Sequence, residues 1–226
     1  TYVPYPLDEL LGIVALESQR NRCLVVGEDL GTVPDGFRER LRQAHLLSYR
    51  PFILDRQKDG SFSRPADYPP GAVASFSTHD MPTLPGFWLG TDLDARTELA
   101  MFPSEQLRET MVIGRAQDRA RLLLALEREQ LLPAGASPHP VSVPEMSPPF
   151  VRSMYAFLAR TASVILAVQA EDMLGIREQA NLPGSPDDQH PNWRRRLTLD
   201  LEDWPTDENC LALVEVLRRE RGSAVF

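Results

Sequence analysis

Cysteine is scarce in these 226 residues: Cys23 and Cys210 are the only two. Two thiols cannot build a disulfide framework, and neither stands at metal-ligand spacing, so both read as reduced thiols of a cytoplasmic protein. No apolar run approaches the roughly 20 residues that span a bilayer, which argues against a membrane partner. No segment has the build of a signal peptide. Basic stripes are missing too, and the formal net charge is −8; nucleic acid is therefore excluded as a partner. No metal and no cofactor is expected. The chain opens at Thr1 rather than methionine, within sequence that reads as structured, so a piece of a longer protein is expected.

What is present is ordinary for a globular chain, 42% hydrophobic and 25% charged, with length for one large or two small domains. The most informative stretch is Cys23-Leu24-Val25-Val26-Gly27-Glu28-Asp29-Leu30-Gly31. Leu24–Val26 is an apolar β-branched run that reads as a buried strand. Two acids follow, then Pro34, which suits the first turn of a helix. Ala72–Asp80 repeats the plan and ends in His79-Asp80. Ser163–Asp172 repeats it again and ends in Glu171-Asp172. Strands ending in carboxylates before helices are βα units, whose chemistry sits at the strands' carboxyl ends. Convergent carboxylates are what glycosidic chemistry needs.

Around these units, Tyr2–Pro6 reads as extended and Leu7–Arg20 as a helix with Leu7, Leu10, Leu11 and Val14 on one face. Pro34–Ala44 reads as a helix that buries Phe37 and Leu41. Leu46–Leu54 reads as a strand weakened by Pro51, followed by a turn at Lys58–Ser61. Leu84–Gly90 reads as a loop bearing Phe87 and Trp88. Helix is expected from about Asp94 to Leu131, most clearly over Glu105–Leu132. Pro133–Pro149 holds six of the 20 prolines and reads as an ordered or mobile surface connection. Val151–Arg160 and Asp207–Arg221 read as helices, and Asn181–Arg196 as a loop. Four parallel strands result, half the number in an eight-stranded barrel.

At these motifs the chain resembles the amylomaltases, the 4-alpha-glucanotransferases that rearrange maltooligosaccharides. Gly27-Glu28-Asp29-Leu30-Gly31-Thr32-Val33-Pro34 is similar to the segment carrying that family's general acid/base. Ser77-Thr78-His79-Asp80-Met81-Pro82-Thr83 is similar to the segment carrying its transition-state-stabilising aspartate. Asn181-Leu182-Pro183-Gly184 and Pro191-Asn192-Trp193-Arg194-Arg195 resemble its late sugar-binding loop. The family's nucleophile segment, Arg-x-Asp-His, does not occur in the chain. The resemblance implies an α/β fold: residues 1–226 as the carboxyl-terminal half, strands five to eight, of a TIM (β/α)8 barrel with helical insertions.

It also implies roles. Glu28 is expected to be the acid/base, favoured as the protonated acid by partial desolvation at the end of a buried strand. Asp80 is expected to stabilise the transition state. His79, Asn181 and Trp88 are expected to bind substrate, with Phe87 and Trp193 as further stacking candidates. Asp29 reads as a helix cap or a supporting acid. Glu171 and Asp172 are open between lining the site and capping a helix, and Arg194–Arg196 read as a solvated or ion-paired face. The expected partners are maltooligosaccharides and alpha-1,4-glucans. Without the nucleophile the piece itself is expected to be inactive and to self-associate through open barrel edges. A hydrolase of the alpha-amylase type, a carbohydrate-binding module without catalysis, and a fragment with neither function stay open.

Overall fold

The structure is a computed structural model that describes residue 3 and residues 5–186 and 189–222. The extended opening expected over Tyr2–Pro6 lies partly outside the described residues. Helix α1, Leu7–Asn21, begins after Pro6, carries Asp8 and Glu9 in its first turn and stops at Arg22, which takes the left-handed conformation. Acids there favour the positive helix start. Its apolar face is not buried: no residue of α1 is, and Leu10, Ile13 and Leu16 are all exposed.

Strand β1 is only Val26–Gly27, and it lies at the edge of the sheet. The buried strand expected at Leu24–Val26 is corrected here: Leu24 is 75% exposed and Val26 44%. The apolar run is genuine, but among the described residues nothing covers it. Helix α2, Phe37–Gln43, starts three residues later than Pro34 because Gly36 must first turn through a positive φ of 78°. Leu41 of α2 packs onto β1, and a Cβ added to Gly27 would stand 3.0 Å from its Cδ1.

Strand β2 is Leu47–Pro51, and Phe52–Leu54 then tightens into a single 3-10 turn. Proline has no N–H to extend a ladder, so the expected strand is cut short there. Its return to β3, Ala72–Ser75, is not helical. It runs through an antiparallel bridge between Arg56 and Phe62 and a second 3-10 turn at Pro65–Asp67. Parallel neighbours need a crossover of a dozen or more residues, and this loop supplies it.

After β3 the chain makes a long helical excursion. The expected loop at Leu84–Gly90 is instead helix α3, Leu84–Leu89, capped by the Thr83 hydroxyl, which accepts from the Gly86 amide at 3.0 Å. Helices α4, Thr91–Glu98, and α5, Glu105–Arg128, follow. Ala100 in the left-handed region and Ser104, whose Oγ accepts from the Leu107 amide, divide the expected single helix in two. Arg115 clamps α5 onto α4 through two bonds to Asp92, at 2.7 and 2.8 Å. Pro133–Pro149 is ordered and partly buried, with Val143 and Met146 in the core. Helix α6, Pro148–Ala159, leads to β4, Ile165–Leu166, the short helix α7, Ala170–Met173, and helix α8, Glu208–Arg221.

The four strands lie in chain order, β1-β2-β3-β4, all parallel. Their carboxyl ends therefore open on one side. Ala72 and Ala74 of β3, with Phe76 beyond, face a core shared by Phe52, Phe62, Phe87, Trp88, Leu122, Leu126, Met154 and Phe157. Val73 and Ser75 face the other way, as strand alternation requires. Cys23 is exposed, Cys210 is buried, and the two are not joined.

Candidate functional site at the strand ends

The carboxyl ends of β2, β3 and β4 are tied by a polar network. The Tyr49 hydroxyl donates to the Ser77 carbonyl at 3.1 Å, and Ser75 Oγ donates to the same carbonyl at 2.8 Å. Gln169, just beyond β4, accepts from both the Ser77 amide and the Ser77 hydroxyl. Satisfied polar groups in a buried position fix geometry, because each lost bond would leave a buried group unpaired. Ser77 is buried, and the residues that follow it, His79 and Asp80, stand out into solvent on this fixed base.

Asn181 comes to the same place from the far end of the chain. Its Nδ2 donates to Asp80 Oδ1 at 2.6 Å, and its backbone amide donates to the His79 carbonyl at 3.2 Å. His79 Nε2 lies 3.5 Å from Asp80 Oδ1. Trp193 is held at a positive φ of 59°, 64% exposed, with its ring centroid 5.2 Å from that of His79. Asn192 folds the loop that presents it: its Oδ1 accepts from the Leu182 amide and the His190 ring, both at 2.9 Å. The structure thus gathers His79, Asp80, Asn181 and Trp193 into one exposed cluster of a carboxylate, an imidazole, an amide and an indole face. These are the groups that bind ring hydroxyls and the apolar face of a sugar.

Trp88 does not join them, and this corrects its assignment as a substrate contact. It is 1% exposed, and its indole N–H donates to the Val143 carbonyl at 2.9 Å. Phe87 is buried beside it. Both sit on α3 rather than on a loop, so both rings face the core.

Glu28 follows β1 at the open edge and is exposed, so the desolvation expected of it is absent. Its neighbour Asp29 is buried, accepts from Ser48 Oγ at 2.6 Å and the Tyr49 amide at 2.9 Å, and pairs with Arg38 Nε at 3.1 Å. Burial acts to raise its pKa, but these hydrogen bonds and the Arg50 charge outweigh it and hold the carboxyl below the usual range. Asp29 is a structural acid that fixes β1 against β2 and α2. It lines a cleft of about 380 Å³ with Arg38, Tyr49, Arg50 and Arg56.

Asp172 is structural as well. It lies in α7 rather than at a strand end, fully buried, with Oδ1 accepting from the Leu84 amide at 2.6 Å and Oδ2 from the Tyr155 hydroxyl at 2.7 Å. It therefore caps α3. Burial pushes its pKa up to about 7 against these two bonds. Arg194, Arg195 and Arg196 are exposed. Among the described residues, no set of three or more His, Cys, Asp or Glu is placed to hold a metal ion and no helix is long and apolar enough to cross a membrane.

The sequence reading missed Gln179. Gln179 is 6% exposed and donates through Nε2 to the carbonyls of Asn181, at 2.5 Å, and Asp80, at 3.4 Å. A glutamine ahead of Asn-Leu-Pro-Gly carries no signal until the fold brings the two loops together.

The family model described as 4-alpha-glucanotransferase matches residues 1–201. A 4-alpha-glucanotransferase of Haemophilus influenzae is 39% identical over 201 residues, covering 88% of this chain and 28% of that protein. One from Mycobacterium tuberculosis is 36% identical, covering 96% of this chain and 30% of that protein. The chain thus spans under a third of the length of these relatives. Among solved structures, the fold is similar to that of amylomaltase from Corynebacterium glutamicum, with a TM-score of 0.85 at 23% identity, over 97% of this chain and 32% of that one. Amylomaltase from Streptococcus agalactiae in complex with acarbose is a more distant likeness, with a TM-score of 0.59 at 16% identity.

Proposed function

The chain belongs to the 4-alpha-glucanotransferase family, and from that premise we propose that it supplies the acid/base and sugar-binding side of a cytoplasmic enzyme transferring alpha-1,4-glucan segments between maltooligosaccharides. The observation that carries the reading is the convergence of Asp80, Asn181, His79 and Trp193 at the carboxyl end of β3. The sheet of four consecutive parallel strands supports a further element of it, that residues 1–226 are strands five to eight of a (β/α)8 barrel. The remaining strands, and the aspartate nucleophile, would come from sequence outside these residues.

In the retaining scheme a carboxylate attacks the anomeric carbon of the donor while Glu28 gives its proton to the departing glycosidic oxygen. Glu28 then takes the proton from an acceptor hydroxyl, whose oxygen displaces the carboxylate, and the glycosidic bond is remade. Asp80 faces the ring hydroxyls next to the reacting carbon and favours the positive charge that develops there. Trp193 offers its face to a neighbouring sugar, the role first expected of Trp88. The exposed position of Glu28 beside the open outer edge of β1 agrees with a site completed by further chain: burial by that chain would supply the desolvation the acid needs.

The test uses a chimera in which residues 1–226 replace the matching segment of the Haemophilus influenzae relative. Transfer from maltotriose should yield longer oligosaccharides, and Glu28→Gln should lower its rate by roughly 10²–10⁴-fold, the usual worth of general acid catalysis. A loss of only a few fold would remove Glu28 from this role, and products shorter than the donor alone would point to hydrolysis.

A further inference from the structure

Asp80 and Asn181 are 101 residues apart, each on a loop, yet they meet at hydrogen-bond distance. Loops hold such geometry only where something beneath them is rigid. The seam between the two loops begins at α3. There Thr83 Oγ1, at the start of α3, donates to the Ile176 carbonyl at 2.8 Å, and Thr91 Oγ1, at the start of α4, to the Arg177 carbonyl at 3.0 Å. It ends at Gln179. The two hydrogens of one amide nitrogen serve two carbonyls, one belonging to Asp80 and one to Asn181. Both partners are acceptors, so the orientation of the Gln179 amide is decided by chemistry, with Nε2 turned toward them.

That orientation has a consequence. Gln179 Oε1 is left buried with no hydrogen-bond partner among the described residues. A buried acceptor without a donor disfavours the fold, and an apolar side chain of the same length would fill the space without it. Glutamine at this position is therefore not explained by stability. It is explained by the two donors it provides under the site.

We infer that Gln179 is the positioning residue that fixes Asp80 and Asn181 as one rigid sugar-contacting pair. The inference rests on the reading of those two residues as glucan contacts.

Two variants test it. Gln179→Met keeps the volume and removes both donors, and Gln179→Glu keeps the shape but sets an acceptor against two carbonyls. The first measurement uses residues 1–226 themselves. Hydrogen exchange at the Asn181 amide, which donates to the His79 carbonyl, should quicken by about tenfold or more in Gln179→Met, with core amides and the melting temperature unchanged or improved. Unchanged exchange at Asn181 would overturn the inference. So would a fall in melting temperature with exchange quickened throughout the core, since that describes a residue of general structural importance. Should Gln179→Glu fail to fold, Gln179→Met decides alone.

The second measurement uses the chimera. Gln179→Met should lower kcat for transfer by about 10- to 100-fold with KM changed little, since misplacement is felt mainly at the transition state. Added to Asp80→Asn, it should cause no further loss, because residues acting as one unit are not additive. Independent losses that multiply would overturn the inference. A parent chimera with no transfer would sink the proposed function, and the exchange measurement would still decide the role of Gln179.

Discussion

Asn181 Nδ2 donates to Asp80 Oδ1 at 2.6 Å, and this bond joins the loop after β3 to the loop after α7. It orients one carboxylate oxygen of a side chain that stays open to solvent. If Asp80 acts on the developing charge, Asp80→Asn in the chimera should reduce kcat for maltotriose transfer by 100-fold or more, with KM moved by only about threefold. Asn181→Ala should give a smaller loss, on the order of tenfold, because it frees the carboxylate without removing it. An Asp80 effect confined to KM contradicts the assignment.

Asp172 makes stability depend on pH. Its folded-state pKa of about 7 lies above the usual 3.8. Between those values the folded chain keeps a proton that the unfolded chain releases, so this group's contribution to stability falls as pH rises from about 4 to about 7, and it is level outside that window. Asp172→Asn removes the slope. The stability of the Asn variant relative to the parent should rise across the window by on the order of 4 kcal/mol. Urea melts of both proteins at several pH values measure this, and parallel profiles would show that Asp172 is ionised in the folded chain at neutral pH.

Gly86 of α3 packs closely against the segment that leads to Asn181. A Cβ there would lie 2.2 Å from the Arg177 carbonyl oxygen, 2.9 Å from Thr91 Oγ1 and 3.0 Å from Thr83 Oγ1. Gly86→Ala must move backbone rather than a flexible side chain, at a cost of about 1–3 kcal/mol. The displaced segment carries Gln179 and Asn181, so a lower melting temperature should come with faster proteolysis near Arg177. A variant as stable and as resistant as the parent would mean the two segments separate freely.

Residues 1–226 by themselves should show no transfer above background. Asp29 and Asp172 are committed to structural bonds, and Asp80 is proposed above as a sugar contact. These three are therefore not the proposed nucleophile, which would come from sequence outside these residues. The exposed Leu24 and Val26, together with the exposed Leu10, Ile13 and Leu16 of α1, should also drive association, so light scattering at high protein concentration should find species larger than 25.4 kDa. A strictly monomeric chain with robust turnover would refute both parts.

Much of the architecture could be read along the chain. Parallel strands followed by acids and the positions of α5, α6 and α8 all follow from local pattern: apolar runs, acids and proline at helix starts. The Ser77–Thr83 and Asn181–Arg195 motifs could be singled out for the same reason, since each is built from short continuous stretches, and the structure brings parts of the two together. The readings that failed share another property. Leu24–Val26 and Leu84–Gly90 are both apolar, but the first lies at an open sheet edge and the second is wound into a buried helix. An apolar run demands cover; it does not say whether the fold provides it.

The sequence by itself determined which groups are available and in what order: four strands, carboxylates after three of them, and an Asn-Leu-Pro-Gly loop late in the chain. Tertiary structure decided how they are used. Asp29 and Asp80 each follow a strand, yet one is buried under three hydrogen bonds to its neighbours and the other is held out toward solvent. Trp88 and Trp193 are the same residue type near the same motifs, yet one fills the core and the other lies against His79. The reason is physical. Hydrogen bonding and burial depend on what is near in space, and partners separated by as many as 101 residues, as Asn181 and Asp80 are, meet only once the sheet and its loops have formed.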